Sequence, residues 1–182
     1  MYKRQPSGVA PVLGSDLNIG DRIPVARKIP TVPNPITIKT LGTEIYNLDK
    51  ELGWVIGAYL STGVDGNTKS SKMKWLYQAI GTDYYNKYVP AWVFQGNLEF
   101  MEGIVAGFFD GDNGDVTEMI RAQSNSERIV DDMIVLLAYC GIYACKTKEI
   151  KKHNSVYVIQ ICRKYSQPVS YTHLTLPTNR EV

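Results

Sequence analysis

Two short apolar stretches, Leu52 to Gly63 (LGWVIGAYLSTG) and Glu102 to Gly114 (EGIVAGFFDGDNG), constrain this chain more than any other feature. Each carries two glycines four residues apart, and Gly53 and Gly103, Gly57 and Gly107, and Thr62 and Asp112 are all separated by the same 50 positions. A repeat at constant offset predicts a pseudo-symmetric structure. Each stretch is apolar nearly all round, yet at about 11 residues it falls well short of the ~20 that a bilayer span needs. A buried helix pair is therefore expected, in which the glycines remove the side chains that would otherwise hold two backbones apart. Packed side by side, such helices would bring their C-terminal ends together, with residues 62 and 112 adjacent and an acid on one side only.

The second stretch contains Val105 to Asp112 (VAGFFDGD), and Lys87 to Phe94 (KYVPAWVF) precedes it. Together they resemble the LAGLIDADG, or DOD-type, homing endonuclease domain of an intein, here fragmentary and partly degenerate. The resemblance implies a site-specific double-strand DNA endonuclease that hydrolyses phosphodiesters with Mg²⁺ held by the last acid of each motif. By position, Asp112 is the metal-binding and catalytic acid. The equivalent position of the first motif is Thr62, a neutral hydroxyl where a hard cation prefers carboxylate and water. Hydrolysis with two metals needs charge on both sides of the scissile phosphate. Asp65, three residues further on, is the nearest substitute, and Asn113 stands where the family has glycine. Cleavage by this copy is accordingly expected to be impaired.

The expected fold class is α+β: a LAGLIDADG-like central pair of motif helices with an antiparallel sheet, the first repeat missing most of its strands. Residues 75 to 94 read as helix plus connector, which leaves only Val64 to Lys74 for strands. That is too little for two typical strands of about 5 or 6 residues with their turn. The second half is better supplied. Val116 to Gln123 alternates, with Thr117, Met119, Arg121 and Gln123 on one face. Ser124 and Glu127 have capping-box spacing ahead of a helix whose apolar stripe is Ile129, Met133, Leu136, Leu137 and Cys140, with Gly141 closing it. Ile142 to Lys148 and Ser155 to Arg163 read as a hairpin around residues 151–154.

The resemblance makes double-stranded DNA the expected partner. Thr117, Arg121 and Gln123 are the candidates for base edges, and Lys146, Lys148, Lys151, Lys152, Arg163 and Lys164 the candidates for phosphate. Each has a plainer reading. Glycines four apart also serve simple close packing, a lysine-rich hairpin also protects a sheet edge, and Arg121 also serves as a cross-strand partner.

Composition adds bounds. The chain has 182 residues, 44% hydrophobic and 21% charged, with a net charge of +2, so a globular core is feasible and the charge balance by itself names no partner. Cys140, Cys145 and Cys162 lie in apolar or strand contexts, which predicts reduced thiols in an intracellular, cytoplasmic protein. His153 and His173 have no metal-ligand spacing, so zinc is not expected. Neither a phosphate-binding glycine loop nor a membrane run is present in the sequence.

Asp16 to Val25 resembles the end of an intein splicing domain, which would be a partner in cis, and a Pro-rich linker follows at Ile29 to Pro35. The expected division is residues 1–40 as a remnant of that domain and linker, 41–169 as the endonuclease domain, and 170–182 as a non-native or disordered tail. Residues 1–5 are also read as non-native. The splicing nucleophile, the Thr-x-x-His block and the terminal His-Asn are missing, so self-splicing is not expected. Alternatives are an inactive DNA-binding or purely structural insertion, an RNA-binding protein of the maturase kind, and a homodimer in which two copies complete one site.

Overall fold

The computed structural model describes residues 2–5, 8–21, 28–62, 71–81, 87–111, 120–150 and 155–161. In chain order the elements are β1 (Tyr2–Gln5), β2 (Gly8–Pro11), β3 (Ile38–Leu41), β4 (Glu44–Asn47), α1 (Lys50–Thr62), α2 (Ser71–Ile80), α3 (Leu98–Gly111), β5 (Ile120–Ser124), α4 (Glu127–Tyr139), β6 (Ala144–Ile150) and β7 (Ser155–Ile161). Short 3₁₀ turns occupy Gly14–Asp16 and Ala91–Gln95. The fold is α+β, and its sheets are antiparallel: β1 with β2, β3 with β4, and a three-stranded sheet in the order β5-β7-β6.

The helix pair α1 and α3 is the centre of the molecule. Both helices open on an Asx cap that satisfies an orphan backbone donor. Asp49 Oδ1 accepts from the Leu52 amide at 2.8 Å, and Asn97 Oδ1 accepts from the Phe100 amide at 2.8 Å. Asn97 also donates through Nδ2 to the Leu48 carbonyl at 2.9 Å, so the start of α3 is tied to the residue that leads into α1. Phe100, Met101, Ile104, Phe108 and Ile56 are fully buried around the pair, in one core that continues to Leu76 and Ile80 of α2 and to Met133, Leu136 and Leu137 of α4.

Between α1 and α3 the described residues contain no strand. The helix there starts at Ser71, four residues before the expected start at 75, so it takes up much of the stretch that could have held strands. Ahead of α1, the β3–β4 hairpin turns at Gly42, whose φ is +60°. A side chain at Gly42 would collide with the Trp75 ring of α2, so the left-handed turn and the close approach both need glycine.

In the second half, α4 packs on one face of the three-stranded sheet. Its N-cap is Ser126, whose Oγ accepts from the Ile129 amide at 3.4 Å. The expected cap, Ser124, instead accepts from the Ser126 amide at 3.2 Å, one step upstream. The capping-box spacing from Ser124 to Glu127 is therefore replaced by a cap two residues later, with Glu127 at the first helical position. Gly141, at φ +78°, follows the helix as its left-handed terminator. The Ala138 carbonyl in that last turn accepts from the Gly141 amide at 3.1 Å and also from the Ile29 amide at 3.0 Å.

Candidate functional site: the glycine-paired helices and the basic hairpin

The four glycines of the repeat meet across the pair. A Cβ at Gly57 would lie 2.7 Å from the Phe108 nitrogen and closer still to the Ile104 carbonyl oxygen; one at Gly107 would lie 2.9 Å from the Ala58 nitrogen and closer still to the Trp54 carbonyl oxygen. At Gly53 it would meet the Phe100 carbonyl, and at Gly103 the Lys50 carbonyl. These contacts are reciprocal: each glycine faces the carbonyl three residues before its own counterpart, so the offset of 50 in sequence is a two-fold relation in space. Moving from Gly53 to Gly57 moves the facing residues from Phe100 to Ile104, so the two helices run parallel. The opposing atoms are backbone and cannot move aside as a flexible side chain could.

The symmetry ends at the polar positions. Trp54 Nε1 donates to Asp110 Oδ2 at 2.8 Å. At the same offset the other side of the pair has Ile104 and Leu60, both buried. One flank is therefore a solvent-facing hydrogen bond and the other is apolar core.

The expected catalytic set is not assembled among the described residues. Thr62 is the last residue of α1. Asp112 and Asp65 lie outside the described residues. Asp110, the described acid nearest to Asp112 in sequence, is held by the Trp54 indole. Among the described residues no group of three or more His, Cys, Asp or Glu side chains could hold a metal.

The expected DNA surface is divided between two faces. Strand register aligns Lys146 with Ile159 and Ala122, and Lys148 with Tyr157 and Ser124, on the α4 side. Arg121 and Gln123 align with Gln160 and Val158 on the opposite side. Lys146 Nζ is paired with Asp131 at 2.6 Å and Glu127 at 3.0 Å, both from α4. These hydrogen bonds, from Asp131 first, hold the Lys146 ammonium above its ordinary range, and the bond from Lys146 holds Glu127 below its own. Lys148 lies over the Tyr157 ring at 5.4 Å. Arg121 Nη2 is paired with Glu149 at 2.5 Å. Lys146, expected to contact phosphate, and Arg121, expected to contact base edges, are thus each engaged in an ion pair within the chain. Thr117, Lys151, Lys152, Arg163 and Lys164 lie outside the described residues.

Three groups that matter to the architecture were not singled out from sequence. Asp49 and Asn97 are recognisable as Asx residues directly before apolar helices. Lys87 enters the sequence reading only as the first residue of the run Lys87 to Phe94, with no sign there that its charge is buried. It is only 3% exposed, its Nζ donates to the Tyr59 carbonyl at 2.7 Å, and burial pushes its ammonium down to about 8.

Cys140 and Cys145 are free thiols, and burial pushes Cys140 up to about 12, so it is inert rather than nucleophilic. Among the described residues no helix is long and apolar enough to cross a membrane.

No family model matches the chain. It is similar to the DNA-directed RNA polymerase subunit Rpo1C of Methanocaldococcus jannaschii, with 26% identity over 238 aligned residues that cover 93% of this chain and 28% of the relative. The chain therefore spans little more than a quarter of the relative's length. Because 93% of 182 residues is about 169, roughly 69 of the 238 aligned positions have no counterpart here. This relationship overturns the reading as an intein-associated, Mg²⁺-dependent homing endonuclease, together with its alternatives and with duplex DNA and a splicing domain in cis as its partners. The signature-like run from Val105 to Asp112 is accounted for over its helical part by close packing.

Proposed function

We propose that this chain is a folded segment of a polypeptide related to the Rpo1C subunit, and that its working partners are other chains of a DNA-directed RNA polymerase. The observation that carries this reading is the similarity over 93% of the chain, which takes in both glycine repeats and the elements around them. In this role the segment is a structural body. Its helix pair is held in backbone contact, and Lys146 and Arg121 are engaged by acids of the same chain.

The finer architecture is part of the proposal. A parallel pair meeting at Gly53, Gly57, Gly103 and Gly107 supports a helix pair of the LAGLIDADG type; the likeness is one of packing, with no cleavage chemistry attached. The roughly 69 aligned positions without a counterpart here support a fuller segment in the relative, of which this copy is a shortened form.

Two measurements test the reading. The reading frame extended on both sides should continue the similarity to the polymerase subunit, and flanks unrelated to it would overturn the proposal. Affinity purification of the full-length polypeptide through a terminal tag should recover RNA polymerase subunits identified by mass spectrometry. Purification free of them would overturn it equally.

A further inference from the structure

The connector Lys87–Pro90 touches both halves, with Val89 and Pro90 buried and a set of polar contacts beside them. Lys87 Nζ reaches the Tyr59 carbonyl in the last turn of α1, where intrahelical donors have run out. The same ammonium lies 4.1 Å from the centroid of the Tyr59 ring. That ring stacks on Tyr77 of α2 at 4.1 Å, and its hydroxyl donates to the Gly81 carbonyl at 2.9 Å. The Tyr88 amide donates to the Ile80 carbonyl at 3.0 Å, and the Tyr88 ring lies 4.4 Å from the Arg128 guanidinium of α4. The Val89 amide donates to Asp132 Oδ2 of α4 at 3.2 Å. Three consecutive residues, Lys87, Tyr88 and Val89, thus join α1 and α2 of the first half to α4 of the second.

We propose that Lys87–Pro90 is a charge-held clip between the two halves, which opens locally while the glycine-locked pair α1 and α3 stays closed, and which is weakest near neutral pH.

The geometry supplies the reason. Both anchoring charges are withdrawn from water. Lys87 has no carboxylate bonded to it among the described residues, and Asp132 is half-buried with a backbone amide as its hydrogen-bond donor. A buried charge that is incompletely compensated favours any state that returns it to water. The titratable and charged groups on the packed elements are Tyr59 on α1, Tyr77 on α2, and Arg128, Asp131 and Asp132 on α4. Tyr59 is pushed up by burial and then by Tyr77, so its phenol remains neutral through this range. Burial also raises Asp132, against the opposing pull of the Val89 amide and Arg128.

The signs follow. Lys87 falls to about 8 in the closed clip from 10.5 in water, so the open clip binds more protons between those values and closure is favoured as pH rises. Asp132 behaves in the opposite way. Its closed form holds a proton more readily than its open form, so closure is favoured as pH falls toward the carboxyl range. Apart from Tyr59, whose phenol stays neutral, the buried residues of α1 and α3 carry no titratable group, so the pair stays closed when the clip opens.

The test is chymotryptic cleavage of the Tyr88–Val89 bond in the intact chain, followed by mass spectrometry and normalised to a free peptide spanning the bond. Cleavage should fall about tenfold from pH 7 to pH 9 as the open fraction is titrated away. Lys87→Met should flatten that dependence. Native-state hydrogen exchange at pH 7 should release the Val89 amide by a local opening, well before the Val105 amide of α3. Should Lys87→Met fail to fold, the wild-type profile and exchange order decide alone. A cleavage rate that does not change with pH, or a Val89 amide that exchanges only with Val105, would overturn the proposal.

Discussion

The two repeats share one backbone solution and differ in nearly everything built on it. Each contributes a glycine-notched helix to a parallel pair, and each glycine faces the other repeat's carbonyl in the same relation. Around this constant element, the first half has a two-stranded hairpin and α2, while the second has a three-stranded sheet covered by α4. Close backbone contact restricts residue choice to hydrogen as a side chain. The surrounding elements need only apolar area, which many sequences supply. The contrast shows which part of an internal repeat is fixed by sterics and which part is free to diverge.

The sharpest way to break the shared element is Gly107→Val, which drives two methyl groups and a Cβ into the Trp54 carbonyl. The expected loss is about 4 kcal/mol or more, read from chemical denaturation. Gly14→Ala, where nothing lies within 4 Å, should stay within about 0.5 kcal/mol and serves as the control. The polar asymmetry is tested by making the first repeat like the second. Leu60→Asp places a carboxylate in core without the indole donor that Asp110 has, and should cost about 3 kcal/mol, while Asp110→Ala at the exposed flank should cost about 1 kcal/mol. Equal losses would show that the two flanks are not different environments. A smaller effect distinguishes the caps: Ser126→Ala should destabilise by about 1 kcal/mol and Ser124→Ala by less, as measured by thermal unfolding. The smallest effect is expected at Arg121 and Glu149, where Glu149→Gln should change stability by at most about 0.5 kcal/mol, because the pair is partly exposed and screened.

Much of the architecture was legible because it depends on local chemistry. The glycine spacing gave the close pair, the alternation of Ile120, Arg121, Ala122 and Gln123 gave a strand with one buried face, and the stripe from Ile129 to Leu137 gave α4. The cap of α4 was misplaced by two residues, since both Ser124 and Ser126 precede the helix and only the backbone geometry selects between them. The start of α2 was missed because Ser71 to Lys74 is polar and has no apolar period of its own.

The charged surface was the least legible part. The partners of Lys146 come from α4, 15 and 19 residues away in sequence, where the local run of lysines gives no sign of them. Strand alternation also puts Arg121 and Lys146 on opposite faces, which a count of charges does not register. The run from Val105 to Gly111 also meets what a tight helix pair requires for packing, small residues followed by aromatics, so it names no function by itself.

The parallel course of α1 and α3 has an electrical consequence. Peptide dipoles in adjacent antiparallel helices largely cancel, but in this pair they add, so the end where Thr62 and Gly111 stand is a negative pole shared by both helices. A cation docked at that end gains from both helices at once. Lys87, seated on the Tyr59 carbonyl in the last turn of α1, lies at the negative end of that helix, and the field it sits in offsets part of the cost of removing its charge from water.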